Sequence, residues 1–115
     1  PFAFVNMIFA HECAYGEAFY PWRTGTGAWM TQLVAEWILG ARRDYPGLRI
    51  DPCLPKAIPE ARIRRKFRGA RFDIRIDNTA GRGHGVRELR LDDQPIDGTH
   101  LPDLRKGEHQ VDVVL

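Results

Sequence analysis

The hydrophobic positions of this chain change period part-way along it. Before Asp51 apolar residues recur at helical spacing, and after it they alternate with polar ones. Residues 2–10 form a short apolar run interrupted by Asn6, and the pattern predicts a helix there. Residues 11–22 lack a period and are punctuated by Gly16 and Pro21, as in an irregular connection. Met30, Leu33, Val34, Trp37 and Ile38 then fall on one stripe of a second helix, which places Trp29 and Trp37 in a core. Thr24 or Thr26 stands where a side chain caps a helix, and Gly40 where a left-handed residue ends one. Arg42 and Arg43 follow, suited to the negative helix end.

Pro46, Pro52, Pro55 and Pro59 mark residues 44–59 as a crossing segment that neither a long helix nor a central strand tolerates. Beyond it residues 63–67 read as a strand. Phe72, Ile74 and Ile76 alternate with Asp73, Arg75 and Asp77, the pattern of a half-buried strand. Residues 78–85 hold three glycines and read as a loop. Residues 86–91 and a short piece around Ile96 suggest a hairpin turning at Asp92 and Asp93, and Val111, Val113 and Leu115 a last strand. The expected class is therefore α+β, with helices over residues 1–50 and an antiparallel sheet or part of a β-sandwich over residues 51–115. Two helices and a few strands leave apolar faces uncovered, so the chain is expected to be a piece of a larger body.

Composition changes this picture little. Hydrophobic residues make up 43% and charged residues 28%, as in ordinary soluble domains, and no apolar run is long enough to span a membrane. The net charge is +2, yet Arg62, Arg64, Arg65, Lys66, Arg68 and Arg71 are clustered. They alternate at strand spacing, with Asp73, Asp77 and Glu88 nearby as counter-charges. That favours a solvated strand face over a nucleic-acid patch, which also lacks an aromatic stacking platform. Cys13 and Cys53 are too few for a disulfide framework and read as reduced, partly buried thiols of a cytoplasmic protein. His11, His84, His100 and His109 are scattered, and no metal site is expected.

Candidate chemistry concentrates in Trp22-Arg-Thr-Gly-Thr-Gly-Ala-Trp-Met30. Thr24, Gly25 and Thr26 lead into a helix whose first N–H groups lack intrahelical partners. Glycine admits an anion close to the backbone, and threonine adds hydroxyl donors. An ordinary helix cap and an anion site both fit on these grounds. The lysine and spacing of a P-loop are absent. The glycine run at residues 81–85 lies between strands and reads as a flexible loop. Glu12 and Glu17 flank Tyr15 and Gly16 without a spacing that makes them a catalytic pair, and Trp22, outside the helix, is the better cleft wall for a sugar ring.

Five blocks occur in one order: Pro1-Phe2-Ala3-Phe4 with Tyr15-Gly16-Glu17-Ala18; the Trp22 to Met30 loop; Glu36-Trp-Ile-Leu-Gly40; Gly47-Leu-Arg-Ile-Asp-Pro-Cys-Leu-Pro55; and Phe67-Arg-Gly-Ala-Arg-Phe72. Together they resemble the C-terminal part of the cellobiose and chitobiose phosphorylases of glycoside hydrolase family 94. The resemblance implies the last helices of an (α/α)6 barrel followed by a C-terminal β-sandwich. It implies an inverting phosphorolysis, in which phosphate attacks the anomeric carbon of a β-linked disaccharide and an aspartic acid protonates the leaving oxygen. It matches Thr24 and Gly25 to a phosphate-binding pair, with Thr26 adjacent, and Glu17 to an acceptor-sugar subsite. The family's general acid, phosphate-binding His and phosphate-binding Arg have no match here, and His11, Arg23 and Asp51 do not replace them. Position 27 is Gly where the family commonly has Ala. The resemblance implies inorganic phosphate as co-substrate, no other cofactor, the remainder of the barrel as partner, a homodimer, and a chain that alone is inactive. A non-catalytic carbohydrate-binding or assembly module is the alternative.

Overall fold

The computed structural model describes residues 5, 7–19 and 25–115. The chain divides into two compact units, Pro1–Leu33 and Val34–Leu115.

In the first unit, β1 (Met7–Ile8) pairs antiparallel with β2 (Ala18–Phe19), Met7 opposite Phe19. The helix expected over residues 2–10 is therefore not present at Met7 and Ile8; residues 1–4 and 6 lie outside the described residues. The local reason is a reversal of the chain. A 3₁₀ turn, Glu12–Ala14, and Gly16 at φ +81° fold the segment back, so that Phe9 N donates to Glu17 O at 3.0 Å. Phe9 and Phe19 then meet edge to face, with centroids 5.2 Å apart. Helix α1 (Thr26–Gln32) follows. Its N-cap is Gly25, which has no side chain to cap with, so Thr26 is the first helical residue and not the N-cap; Thr24 lies outside the described residues. No described residue of this unit is buried.

A π-helical stretch, Leu33–Ile38, succeeds α1, and Leu39 N donates to Val34 O. This widening breaks the 3.6-residue stripe that the sequence predicts. Trp29 is 76% exposed, and Leu33, Val34 and Trp37 are exposed too, while Glu36 is buried in their place. The assignment of Trp29 and Trp37 to a core is thus corrected. Gly40 does end the helical run, at φ +68°.

The second unit is built on two sheets. β3 (Ala41–Arg43), β4 (Leu48–Ile50) and β9 (His100–Leu101) form an antiparallel three-stranded sheet in the order β3-β4-β9. β4 lies within the proline-rich segment, where a strand was not expected. Pro46 and Pro52 bracket Leu48-Arg-Ile50 rather than interrupt it, so no ladder bond is lost.

The second sheet has five strands, β5 (Glu60–Phe67), β6 (Ala70–Asp77), β7 (Glu88–Leu91), β8 (Gln94–Pro95) and β10 (Glu108–Val114), in the order β5-β6-β10-β7-β8. Two-residue turns with positive φ, Arg68-Gly69 and Asp92-Asp93, close the two hairpins. The expected antiparallel arrangement fails at one place: β10 pairs with β6 in parallel, Val111 opposite Ile74. The long connection between β6 and β10 carries the chain back to the starting end of β6, which makes a parallel pairing reachable.

Both sheets contribute to one hydrophobic cluster. Leu48, Ile50 and Leu101 come from the three-stranded sheet; Phe72, Ile74, Ile76, Leu89, Val111 and Val113 come from the five-stranded one. Strand alternation produces this directly, since every second residue of β6 is buried and the others are outward. Asn78 is the buried polar residue at the rim. Its Nδ2 donates to Ile58 O at 2.8 Å and its Oδ1 accepts from Gly83 N at 2.8 Å, so one amide ties two loops.

Candidate functional site

The residues singled out for phosphate and sugar are partly visible. Thr24 and Trp22 lie outside the described residues. Gly25 sits at the start of α1, where its carbonyl accepts from Trp29 N at 3.0 Å, and Thr26 is the first helical residue. Glu17 is exposed just before β2; its backbone N–H donates to Ala14 O and its carbonyl accepts from Phe9 N, both at 3.0 Å.

The second unit shows a different organisation of charge. Four carboxylates are each held by two arginines. Glu36 accepts from Arg43 Nε at 3.0 Å and Arg65 Nη2 at 2.6 Å. Asp51 accepts from Arg42 and Arg49 at 3.2 and 2.9 Å. Asp73 accepts from Arg62 Nε at 2.6 Å and Arg64 Nε at 3.2 Å. Asp103 stands 2.9 Å from Arg68 and 3.0 Å from Arg105. The register explains Asp73, since Arg64 lies opposite it on β5 and Arg62 one pleat away on the same face. Arg71 pairs with Glu108, and Glu88 with Arg90, whereas Asp77 caps the backbone N–H of Thr79. Arg62, Arg64 and Arg71 thus lie on a cross-paired strand face where, of the three expected counter-charges, Asp73 alone pairs with the cluster, while Arg65 reaches Glu36 and the turn residue Arg68 reaches Asp103.

These pairings decide what the carboxylates can do. The Arg62 hydrogen bonds hold the Asp73 carboxyl down at about 2, against the partial opposition of burial. Asp103 is lowered by Arg68 in the same way. Neither can carry at neutral pH the proton that a general acid must give a leaving oxygen. His109 is placed differently: Nδ1 faces Asp92 Oδ2 at 2.7 Å and Nε2 faces Lys106 O at 2.9 Å. Two acceptors favour the doubly protonated ring, and the His109 pKa is raised, first by the Asp92 hydrogen bond.

Both cysteines are free and exposed, which corrects the expectation that they are partly buried. Cys53 forms an isolated antiparallel backbone β-bridge with His84. Among the described residues no group of three His, Cys, Asp or Glu could hold a metal ion, and no helix is long and apolar enough to cross a membrane.

Comparison with known sequences connects these two units to a family. The family description "Glycosyl hydrolase family 65, C-terminal domain" matches residues 42–84, which run from β3 through the β5–β6 hairpin to the loop tied by Asn78. The chain is 34% identical to N,N'-diacetylchitobiose phosphorylase of Vibrio proteolyticus over 100% of its own length and 14% of that protein's. It is 35% identical to solabiose phosphorylase of Paenibacillus borealis, covering 98% of this chain and 15% of that one. These matches fit the C-terminal part of a family 94-type glycoside phosphorylase. A third phosphorylase relative, cellobionic acid phosphorylase of Neurospora crassa, is 33% identical over 74% of this chain and 10% of its own length. The chain thus spans only about 14 or 15% of the curated phosphorylases that it matches most fully.

Sequence reasoning missed Glu36 and Asn78 as organising residues. Glu36 was visible only as a charge inside an apolar stripe. Asn78 was hidden because asparagine before a glycine-rich loop reads as turn chemistry.

Proposed function

We propose that this chain is the C-terminal part of an inverting glycoside phosphorylase that cleaves a β-linked, cellobiose-like disaccharide with inorganic phosphate. The products are an α-sugar 1-phosphate and a free sugar. One observation carries the reading: end-to-end similarity to phosphorylases named for different disaccharides. A phosphate oxygen attacks the anomeric carbon as the bond to the leaving oxygen breaks, and an acid protonates that oxygen. Phosphate takes the place of an activated water, so a second catalytic carboxylate is not required.

In this reading Thr24, Gly25 and Thr26 hold the phosphate, and Glu17 and Trp22 contact the sugar. The general acid belongs to the rest of the protein. The helical part of residues 1–50 belongs to a helical barrel, residues 51–115 belong to a β-sandwich domain, and the enzyme is a cytoplasmic dimer needing no cofactor.

The test is release of sugar 1-phosphate by the full-length protein from cellobiose, chitobiose, laminaribiose and cellobionic acid, with and without phosphate. Phosphate-dependent product is expected. Hydrolysis without phosphate, or no cleavage of any of these, overturns the proposal. In Thr24→Ala the KM for phosphate should rise more than that for disaccharide; an equal rise removes the phosphate role.

A further inference from the structure

Tyr45 is 91% exposed, yet its backbone is fixed on several sides. Its N–H donates to Asp44 Oδ1 at 2.7 Å, and its carbonyl accepts from Arg68 Nη2 at 3.1 Å. Asp44 is itself held, with its N–H on Gly47 O at 3.0 Å and its Oδ2 3.0 Å from His100 Nε2. An aromatic ring is therefore presented to solvent from a rigid turn. Beside it opens a cavity of about 500 Å³ lined by Tyr45, Pro46, Arg68, Asp103 and Arg105. Its walls come from the β3–β4 turn, the β5–β6 turn and the connection between β9 and β10. That volume lies within the range of small-ligand sites.

The polar valency of this cavity is one-sided. Asp103 faces Arg68 through one oxygen and Arg105 through the other, one carboxylate against two guanidiniums. Each guanidinium has five N–H donors and retains some beyond these contacts. The three charged side chains sum to a single positive charge, too little to select a polyanion. What fits is a neutral ligand rich in acceptor oxygens with one apolar face. A sugar ring has that form.

We infer that the open end formed by Tyr45, Arg68 and Arg105 binds a β-linked oligosaccharide, one ring stacked on Tyr45 and its hydroxyl oxygens accepting from the two arginines. The β linkage rests on the phosphorylase reading above; the stacking arrangement does not.

Amide-resolved NMR titration of the 115-residue chain with cellohexaose and chitohexaose tests this, with maltohexaose and inorganic phosphate as comparators. Saturable shifts should cluster at residues 45, 68 and 105, with dissociation constants on the order of millimolar. Tyr45→Ala and Arg105→Gln should keep the native spectrum, since both side chains are largely exposed, and weaken binding about tenfold or more. No shift at these residues, unchanged affinity in Tyr45→Ala, or a response to phosphate alone overturns the site. Equal binding of maltohexaose keeps the sugar site but overturns its β selectivity. Failure of the full-length protein to release sugar 1-phosphate, with Tyr45-dependent binding intact, removes the phosphorylase reading alone.

Discussion

Gly40 gives the sharpest structural prediction, because two separate effects meet there and can be measured apart. It lies at φ +68°, where a side chain costs about 1–2 kcal/mol in backbone strain. A Cβ there would also fall 2.2 Å from Pro52 N and 2.3 Å from Asp51 C. Those are backbone atoms on a segment that is itself bonded to Gly40, since Asp51 N donates to Gly40 O at 3.0 Å. They cannot swing aside as a side-chain tip could, so overpacking adds about 1–3 kcal/mol. Gly40→Ala is therefore expected to cost about 2–5 kcal/mol, a large part of the stability of a small domain. Gly98 is the control, at φ +78° with nothing within 4 Å of a built Cβ. Gly98→Ala should cost only the strain, about 1–2 kcal/mol. Urea unfolding followed by circular dichroism gives both values. Equal losses in the two variants would mean that the Pro52 contact yields, and the steric argument would be wrong.

Other substitutions probe the core and the charge pairs. Glu36→Gln strips the charge from a side chain that is 9% exposed and leaves Arg65 without a counter-ion, at a cost of about 2–3 kcal/mol by denaturation; a loss below about 0.5 kcal/mol would put the pair among surface bridges. Ile74→Ala removes a fully buried side chain and should cost about 2–5 kcal/mol, while outward Arg75→Ala should stay within about 0.5 kcal/mol. The raised pKa of His109 has a definite sign: its stabilisation is full below the unfolded value of about 6.5 and is lost as pH rises through the higher folded value. Asp92→Asn should flatten that alkaline loss, and an unchanged pH profile would remove Asp92 as its cause. Asp73 should titrate by carboxyl NMR near 2, so its contribution persists above the unfolded value of about 4 and disappears only as pH falls toward that midpoint.

The β part of the fold was written plainly in period-two alternation. Phe72, Ile74 and Ile76 are buried in turn, and Asp92 and Asp93 make the turn expected of them. Where the pattern misled, long-range or helix-type effects decided the outcome. The stripe from Met30 to Ile38 assumed an unbroken 3.6-residue helix, and the π-helical stretch turned Glu36 inward instead. The parallel pairing of β6 with β10 depends on a connection whose path no local signal records. The apolar run around Met7 suits a helix or a strand, and the return at Gly16 settles it. Of the proposed site, the glycine and threonine residues were legible as chemistry, but the presentation of Tyr45 was not. It needed three turns distant in sequence to meet.

The central place of β10 also bears on how the second unit comes to be folded during synthesis. β5 with β6, and β7 with β8, are hairpins of neighbouring segments and can close locally as soon as each is made. Neither hairpin pairs with the other; β10, the last strand translated in this chain, lies between them and bonds to both. Until it arrives, Ile74 and Ile76 on one side and Leu89 on the other have no Val111 or Val113 to pack against. The sheet is thus zipped shut at the end, by its least local contacts. A ribosome that stalls before Glu108, or a frameshift there, would release two sticky half-sheets for chaperones and proteases rather than a slightly shortened domain.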